Sequence, residues 1–294
     1  MAEQKLELRK IRDFGENIND TFLFIRQNFL PLMKSFLAIC AIFMLTQAIL
    51  NGMYQSRSMA MFTEIFTGKR NSVNPLTQVF SIEYLLVILS ILLTFVSMST
   101  ALGAYIKYYV QNNKAEPLIE DVWNIFKKYF FKILIYSIPI YVMIIIGFFF
   151  CGVPGIYLWV VFVPFSLVVM LEETNFSDSF SRCFDLISQN FWTSFAIYLV
   201  SYVIYSVCGL IVGGLISAVV GLLGYLTTED LTNSFAVATS FLNIFSFCFY
   251  IIFFLSAALN YFSLVETKDG TGILGRIESI GKNKNNFDDA EEQY

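Results

Sequence analysis

Residues 133–171 read ILIYSIPIYVMIIIGFFFCGVPGIYLWVVFVPFSLVVML and contain no Asp, Glu, Lys or Arg. Crossing the hydrocarbon of a bilayer takes about 20 apolar residues, so this stretch is long enough to cross twice. The sequence Cys-Gly-Val-Pro-Gly at 151–155 is a turn signal in its middle. The stretch therefore predicts two membrane-spanning helices joined as a tight hairpin.

Four further apolar stretches meet the same criterion. Of the 294 residues, 56% are hydrophobic and 14% are charged, against about 25% charged in soluble domains. The fifth stretch is longer than one crossing requires, and its glycines leave open whether it tilts, breaks or ends in an interfacial turn. The sequence thus predicts an all-α integral membrane protein with six transmembrane helices, at 31–53, 83–106, 131–151, 153–171, 192–224 and 235–264.

A short amphipathic pattern occurs three times, each time just before an apolar stretch. Its spacing places apolar side chains along one stripe of a helix. We predict interfacial amphipathic helices at about 14–29, 115–130 and 176–191, and an architecture of three repeats in which each such helix precedes a hairpin. The three stripes are Phe14, Ile18, Phe22, Ile25 and Phe29; Ala115, Ile119, Trp123, Phe126 and Phe130; and Phe176, Phe180, Phe184, Ile187 and Phe191.

Basic residues are distributed unevenly between the two predicted sides of the membrane. If the N-terminus is cytoplasmic, that side holds all of the 19 Lys and Arg residues except Arg57, Lys69 and Arg70. Because an excess of Lys and Arg marks cytoplasmic loops, we predict a multi-pass protein of a bacterial cytoplasmic (inner) membrane with both termini cytoplasmic. The predicted organisation is a cytoplasmic segment at 1–12, one membrane domain at 13–265 and a mostly disordered cytoplasmic tail at 266–294.

Two groups of residues resemble a known membrane domain. The first is Phe14-Gly15-Glu16 leading to Phe22, then Gln27-Asn28-Phe29 and Pro31; the second is Pro154-Gly155-Ile156, Pro164, Glu172-Glu173 and Ser179 to Asn190-Phe191-Trp192. Together they are similar to the membrane domain of some glycerophosphodiester phosphodiesterases and of related uncharacterised bacterial six-helix families. The resemblance covers nearly all of 12–265 and implies the architecture. It does not carry over the activity, because enzymatic members of that family have a separate catalytic barrel.

Composition argues against catalysis and against several partners. The chain has no histidine, which removes the commonest general base and zinc ligand. Its five cysteines are scattered in apolar context, as small buried hydrophobic residues are. We expect no cofactor, no metal and, with a net charge of −4, no nucleic acid. A membrane enzyme would need converging carboxylates, for which the candidates are Glu172, Glu173 and Asp178 beside Glu120 and Asp121.

Four residues within the predicted spans are candidates for shaping the bundle. Gly209-x-x-x-Gly213 allows a second helix to approach closely, either a neighbour in the same chain or the same helix of a homodimer. Pro139 and Pro164 lie in the middle of the third and fourth spans and predict a kink in each. Two such kinks either shape the bundle or open a lateral groove for a lipid.

The predicted cytoplasmic face has a cluster of cations beside an aromatic ring. Lys127, Lys128 and Lys132 lie close to Trp123 and suit contact with anionic lipid headgroups. The general excess of positive charge on that face accounts for them equally well. On the opposite side, residues 52–80 form the longest predicted loop, which is either a second interfacial helix or a docking surface.

Three functions remain open from sequence alone. The first, which the sequence favours, is a non-enzymatic scaffold or accessory subunit that organises lipids, other membrane proteins or a second copy at the membrane. The second is a transporter or flippase-like carrier of a lipid or apolar solute, for which a hydrated cavity or lateral groove near Pro139, Pro164 and Asn243 is the deciding feature. The third is the membrane enzyme described above. Residues 133–171, 192–228 and 231–265 contain no charged residue, which argues against ion-coupled transport.

Overall fold

The structure is a computed structural model that describes residues 5–66, 81–112, 114–150, 152–228 and 231–270. These residues form helices and connecting turns, with no strand among them. The helices are α1 (Phe14–Phe66), α2 (Ile82–Gln111), α3 (Ile119–Phe149), α4 (Val153–Phe162), α5 (Phe165–Leu171), α6 (Phe176–Ile187), α7 (Phe191–Thr228) and α8 (Leu231–Asp269).

Six helical stretches are long and apolar enough to cross a membrane. They lie in α1, α2, α3, the α4–α5 pair, α7 and α8. The prediction of an all-α, multi-pass membrane protein is therefore confirmed. The α7–α8 pair has the most extensive contact, α1 packs against both α8 and α2, and α3 packs between α2 and α4.

The first predicted interfacial helix is the start of α1, and a backbone irregularity separates it from the span. Asn28 leaves helical geometry at φ −119° and ψ 17°, three residues before Pro31. A proline inside a helix has no N–H to donate and its ring crowds the preceding turn, which explains the break. Beyond it α1 continues to Phe66, so the part of the predicted 52–80 loop up to Phe66 is helical. Residues 67–80 lie outside the described residues.

The other two predicted interfacial helices have different bounds. The helix expected at 115–130 begins at Ile119 and continues without interruption through the span to Phe149. Pro117 disfavours helical geometry in the residue before it, and Asp121 accepts a hydrogen bond from the Leu118 N–H at 3.1 Å, which fixes the start. The helix expected at 176–191 ends at Ile187, and α7 begins at Phe191.

The three apolar stripes occupy different environments. In α1 the stripe is turned outward, with Phe14, Phe22 and Phe29 exposed, while the opposite face, including Asn17 and Phe24, is buried. In α3 the stripe is exposed at Trp123 but buried from Phe126 onward. In α6 the stripe packs on the protein: the Phe180 and Phe184 rings lie 5.1 and 5.5 Å from that of Phe162.

Two of the predicted spans differ in continuity. Pro164, at φ −79° and ψ 0°, separates α4 from α5, so the fourth span is two short helices. The fifth span, whose continuity the sequence left open, is the single 38-residue helix α7. The last span extends to Asp269, so the predicted tail at 266–294 begins after this residue; residues 271–294 lie outside the described part of the chain.

Candidate functional site

A cavity of about 330 Å³ lies among the membrane-spanning helices. Its size falls at the lower end of the range typical of small-molecule sites, roughly 300–1,000 Å³. All of its lining residues belong to candidate spans, and none of them carries a charge. We call it the aromatic cavity; it is lined by Phe95, Val96, Ser99, Ile133, Ser137, Ile140, Tyr141, Ile144, Trp159, Phe162, Val163, Phe165, Ser166, Tyr202, Tyr205, Tyr250, Phe253 and Phe254.

Hydroxyl groups are the main polar groups in this lining. Ser99 Oγ and the Tyr250 hydroxyl lie 3.1 Å apart and form a hydrogen bond between α2 and α8. Ser137 and Ser166 are buried, at 7% and 8% exposure, and have no hydrogen-bond partner among the described residues. Buried polar groups are normally hydrogen-bonded, so these two hydroxyls can accept or donate a bond to a molecule in the cavity.

The aromatic cavity is open at one side of the bundle. Tyr141 of α3 and Tyr202 of α7 line it and are nevertheless 38% and 49% exposed. α3 packs on α2 and α4, whereas α7 packs chiefly on α8, so the edges of α3 and α7 are not sealed by close contact with each other.

Both predicted kink prolines lie beside the aromatic cavity. Pro139 falls between the lining residues Ser137 and Ile140 of α3, and Pro164 falls between Val163 and Phe165. Pro164 ends α4, whereas α3 continues through Pro139. The two prolines are therefore brought together around one space. Asn243, the third residue named for this groove, is not among the lining residues.

A second group of polar residues collects at one end of the bundle, where Lys107 is buried near the end of α2. Its Nζ donates to the Met170 carbonyl at 2.6 Å, to the Tyr129 hydroxyl at 2.8 Å and to Glu173 Oε1 at 2.5 Å. Tyr129 also donates to Glu173 at 2.7 Å. The hydrogen bonds from Lys107 and Tyr129, with the charges of Lys107 and Lys128, lower the pKa of Glu173 to about 2.

We call this end of the bundle the charged end. It also holds the guanidinium groups of Arg182, which is half-buried, and Arg12, which is buried. Arg182 Nε lies 3.1 Å from Glu172 Oε2, and its terminal nitrogens pair with Asp269. Glu172 also accepts a hydrogen bond from the Tyr261 hydroxyl at 2.9 Å. Arg12 donates to Asp20 at 2.8 Å with its own side chain fully buried. The Arg182 contacts join α6 to α8, and the Arg12 backbone N–H joins the N-terminal segment to α8 by donating to Ser263 Oγ at 2.9 Å.

The carboxylates named for a membrane enzyme do not form one group. Glu172 and Glu173 are neighbours in sequence, but each pairs with a different cation, Arg182 and Lys107. Asp121 caps the start of α3, while Asp178 and Glu120 are exposed. Within the described ranges, no group of three or more His, Cys, Asp or Glu side chains could hold a metal ion.

The cations named for lipid contact divide into two kinds. Lys127 Nζ lies 5.8 Å from the centre of the exposed Trp123 ring, and both side chains face outward. Lys128 lies 4.0 Å from Glu173, and Lys132 donates to the Thr174 carbonyl at 2.9 Å, which anchors the segment between α5 and α6. Only the first pair is free to meet a lipid headgroup without giving up a contact within the protein.

Gly209 and Gly213 both face α8 within the same chain. A Cβ at Gly209 would lie 3.0 Å from Ser246 Cα, and one at Gly213 would lie 2.9 Å from the Leu242 carbonyl oxygen. The two helices therefore approach at a distance that a larger residue would prevent. The contact leaves neither glycine open to a second copy.

From the sequence, we did not predict that Lys107 and Arg12 are buried. Both were counted only as positive charges of the cytoplasmic side, although Lys107 interrupts the apolar run Ala104-Tyr105-Ile106-Lys107-Tyr108. A lysine within such a run is a signal of a buried, paired cation. Its partners come from α3 and from the segment after α5, and no local spacing identifies them.

No protein-family model, curated protein or solved structure matches this chain.

Proposed function

We propose that the protein binds an apolar or lipid-like molecule, holding its uncharged part in the aromatic cavity, and acts as a non-enzymatic carrier or holder of that molecule. The observation that carries this proposal is the pair of unpartnered hydroxyls, Ser137 and Ser166, inside an aromatic space within the spans. Placing a hydroxyl in apolar surroundings without a hydrogen bond costs about 1–3 kcal/mol. A ligand with one hydrogen-bonding group at its polar part offsets that cost.

The chemistry of the lining supports this class of ligand. The absence of charged groups from the lining disfavours a charged group inside this cavity, because an ion would lack a partner there. Aromatic rings from six helices, including Phe95, Trp159 and Phe253, offer large apolar contact area. The opening beside Tyr141 and Tyr202 gives a molecule dissolved in the bilayer a direct way in.

Filling the cavity tests the proposal. We expect Ser137→Phe to displace the ligand, because the new ring occupies the space between α3 and α5. The protein is reconstituted in nanodiscs of neutral lipid and exposed to hexadecanol carrying a diazirine in its chain, and the crosslinked peptides are mapped by mass spectrometry. Wild type should be labelled at cavity-lining residues, and Ser137→Phe should lower that labelling at least fivefold.

The neighbouring residue provides the matched control. Ile138 is 48% exposed on the outer face of α3, so Ile138→Phe adds the same ring without entering the cavity. Its labelling should equal that of wild type. A second variant, Ser166→Leu, fills the cavity from α5. It provides an independent test if Ser137→Phe does not fold. Equal labelling of the lining in wild type, Ser137→Phe and Ser166→Leu contradicts the proposal.

A scaffold or accessory role is a second candidate, favoured by the surface of α7. Only 11% of the most apolar window of this helix is buried, the lowest share among the six candidate spans. Its 38 residues measure about 57 Å, well beyond the ~30 Å hydrocarbon thickness. Such a long exposed apolar helix suits a second membrane protein. Stoichiometric partners after mild detergent extraction, identified by mass spectrometry, would favour this candidate.

We further propose a bacterial cytoplasmic membrane location, cytoplasmic termini and a triplicated ancestry. The buried positions of the first amphipathic helix support the last point. Asn17 and Thr21 are buried in α1, and the residues 162 positions later, Ser179 and Cys183, are buried in α6. The charged end gathers most of the cations of the chain, which supports its placement on the cytoplasmic side.

A further inference from the structure

The aromatic cavity has a polar neighbour on the same helices. A second cavity of about 410 Å³ lies at the charged end and is lined by Arg9, Lys107, Val110, Gln111, Leu171, Glu172, Arg182, Tyr261, Phe262, Val265 and Asp269. On α2 the first cavity reaches Ser99 and the second begins at Lys107, about 12 Å further along the helix. The same order holds on α8, from Phe254 to Tyr261.

On α5, Met170 lies between Ser166, which lines the aromatic cavity, and Leu171, which lines the polar one. Met170 is fully buried and seated on Gly103, where an added Cβ would lie 2.7 Å from the Met170 sulfur and 3.9 Å from Phe254 Cζ. Phe254 lines the aromatic cavity, and the Met170 carbonyl accepts from Lys107, which lines the polar one. Methionine is unbranched and adaptable, so its thioether can swing away from Gly103 while its backbone stays in place.

Five charged residues line the polar cavity: the cations Arg9, Lys107 and Arg182 and the anions Glu172 and Asp269. Arg182 is neutralised by Glu172 and Asp269, and Lys107 by Glu173. Arg9 lines the cavity, is exposed, and forms no ion pair within the described residues. A guanidinium in this position favours an anionic group, because it can donate two parallel hydrogen bonds to a carboxylate or phosphate.

We propose that the two cavities form one binding site for an anionic amphiphile. Its chain occupies the aromatic cavity, its carboxylate or phosphate head lies beside Arg9 in the polar cavity, and Met170 is the movable partition between them. This inference rests on the proposed function and adds the charge of the head and the route that it takes.

The test uses three probes with the same diazirine-bearing C16 chain, ending in a carboxylate, a phosphate monoester or a hydroxyl. In neutral-lipid nanodiscs we expect at least one anionic probe to label the aromatic cavity at least threefold more than the alcohol does. Whichever anionic probe labels more strongly identifies the head. Arg9→Gln should reduce its labelling to the level of the alcohol.

Matched variants separate the head site from general surface charge and from the partition. Lys127→Gln removes an exposed cation of the charged end outside the cavity and should preserve the anionic advantage. Met170→Ala removes the partition and should raise labelling by the favoured anionic probe, while the volume-conserving Met170→Leu should not. The inference is overturned if neither anionic probe exceeds the alcohol, or if Arg9→Gln and Lys127→Gln behave alike.

The two proposals fail in different ways. In one outcome the alcohol labels the aromatic cavity, Ser137→Phe lowers that labelling, and neither anionic probe labels more than the alcohol. This result retains the aromatic cavity as a binding site and rejects its extension to Arg9. Labelling that avoids the cavity with all three probes rejects both.

Discussion

At the scale of single residues, buried Lys107 shows how this protein keeps a charge within an apolar helix. Its ammonium group has three acceptors: the Tyr129 hydroxyl, the Met170 carbonyl and Glu173. All three donors of an ammonium group are therefore used. The arrangement joins α2, α3 and the end of α5 at one point, and Lys107 lines the polar cavity as well.

Removing the carboxylate should destabilise the protein more than removing the whole pair. Glu173→Gln leaves a buried cation without its counter-ion, so we expect the free energy of unfolding to fall by about 1–2 kcal/mol. The loss stays below the figure for fully buried pairs because the Glu173 side chain is 56% exposed and partly screened by solvent. The double variant Lys107→Met/Glu173→Gln should recover most of the loss in a denaturant titration. A double variant less stable than Glu173→Gln alone would contradict this account.

The same residue predicts a pH dependence. The pKa of Glu173 is lowered from its ordinary 4.5 to about 2, so the folded state binds the proton less readily than the unfolded state. The stabilisation by ionised Glu173 is therefore fully present above pH 4.5 and is lost as the pH falls towards 2. The stability difference between wild type and Glu173→Gln should be constant from pH 5 to 8 and shrink below that window. A difference that persists unchanged to pH 2 would assign it to packing.

At the scale of the helix, the α7–α8 pair depends on small residues along one face. Gly209, Gly213 and Gly221 meet α8 at Ser246, Leu242 and Ala238, whereas a Cβ at Gly214 meets nothing within 4 Å. In a membrane, where no hydrophobic effect drives helices together, close packing of backbones supplies much of the attraction. The spacing of the glycines thus decides how close α7 and α8 lie.

Adjacent glycines allow a direct test of this contact. Gly213→Leu forces its side chain against the Leu242 backbone and should lower stability by about 1–3 kcal/mol. Gly214→Leu places the same side chain in open space and should leave stability unchanged or slightly raised, since leucine favours the helix over glycine. The midpoints of thermal unfolding in mild detergent compare the two. Equal midpoints would show that the close approach contributes nothing.

At the scale of the whole molecule, most of the ion pairs lie at the charged end, and the exposed Arg57–Glu83 pair lies at the opposite end, where α2 begins. The charged end joins the N-terminal segment, α6 and the end of α8 through Arg12, Arg182 and Asp269. α7 and α8 are long helices, and the segments where α7 ends and α8 begins, away from the charged end, are mostly apolar. This asymmetry gives the bundle a direction relative to the membrane.

Single cysteines at the two ends should report that direction. In a variant without native cysteines, Ser181→Cys at the charged end should react with an impermeant maleimide only in inside-out vesicles. Thr227→Cys at the opposite tip should react only in right-side-out vesicles. Both residues are exposed, so reactivity reports the side of the membrane rather than burial. The reverse pattern would place the charged end outside the cytoplasm.

Several features of the fold and the site follow from local sequence. Continuous apolar runs predict the six spans, because the bilayer requires helices of a fixed length in which every backbone group is hydrogen-bonded. Pro164 predicts the break after α4, since a proline removes an intrahelical bond. The irregularity at Asn28 also lies near a proline, Pro31, for which we made no such prediction from the sequence. Pro139 has the same local character, yet α3 continues through it. Proline alone therefore identifies a weak point in a helix, and packing decides whether the helix ends there.

The amphipathic stripes show where local pattern is insufficient. Phe22 in α1 and Phe184 in α6 occupy equivalent positions 162 residues apart, and the spacing predicts the same environment for both. In the structure Phe22 is exposed and Phe184 packs on Phe162. The spacing of a stripe predicts which side chains share one face of a helix. Only the neighbouring helices decide whether that face meets lipid or protein.

By itself the sequence determined the membrane class, the number of spans and the glycines and prolines that allow close approach or a break. These are properties of a single helix and its solvent, so nearby residues specify them. The tertiary structure alone decided that Ser137, Ser166 and Tyr250 surround one cavity, that Arg9 and Lys107 line a second one, and that Glu173 neutralises Lys107. These residues come together from distant parts of the chain, because helix packing joins faces whose partners no local spacing encodes.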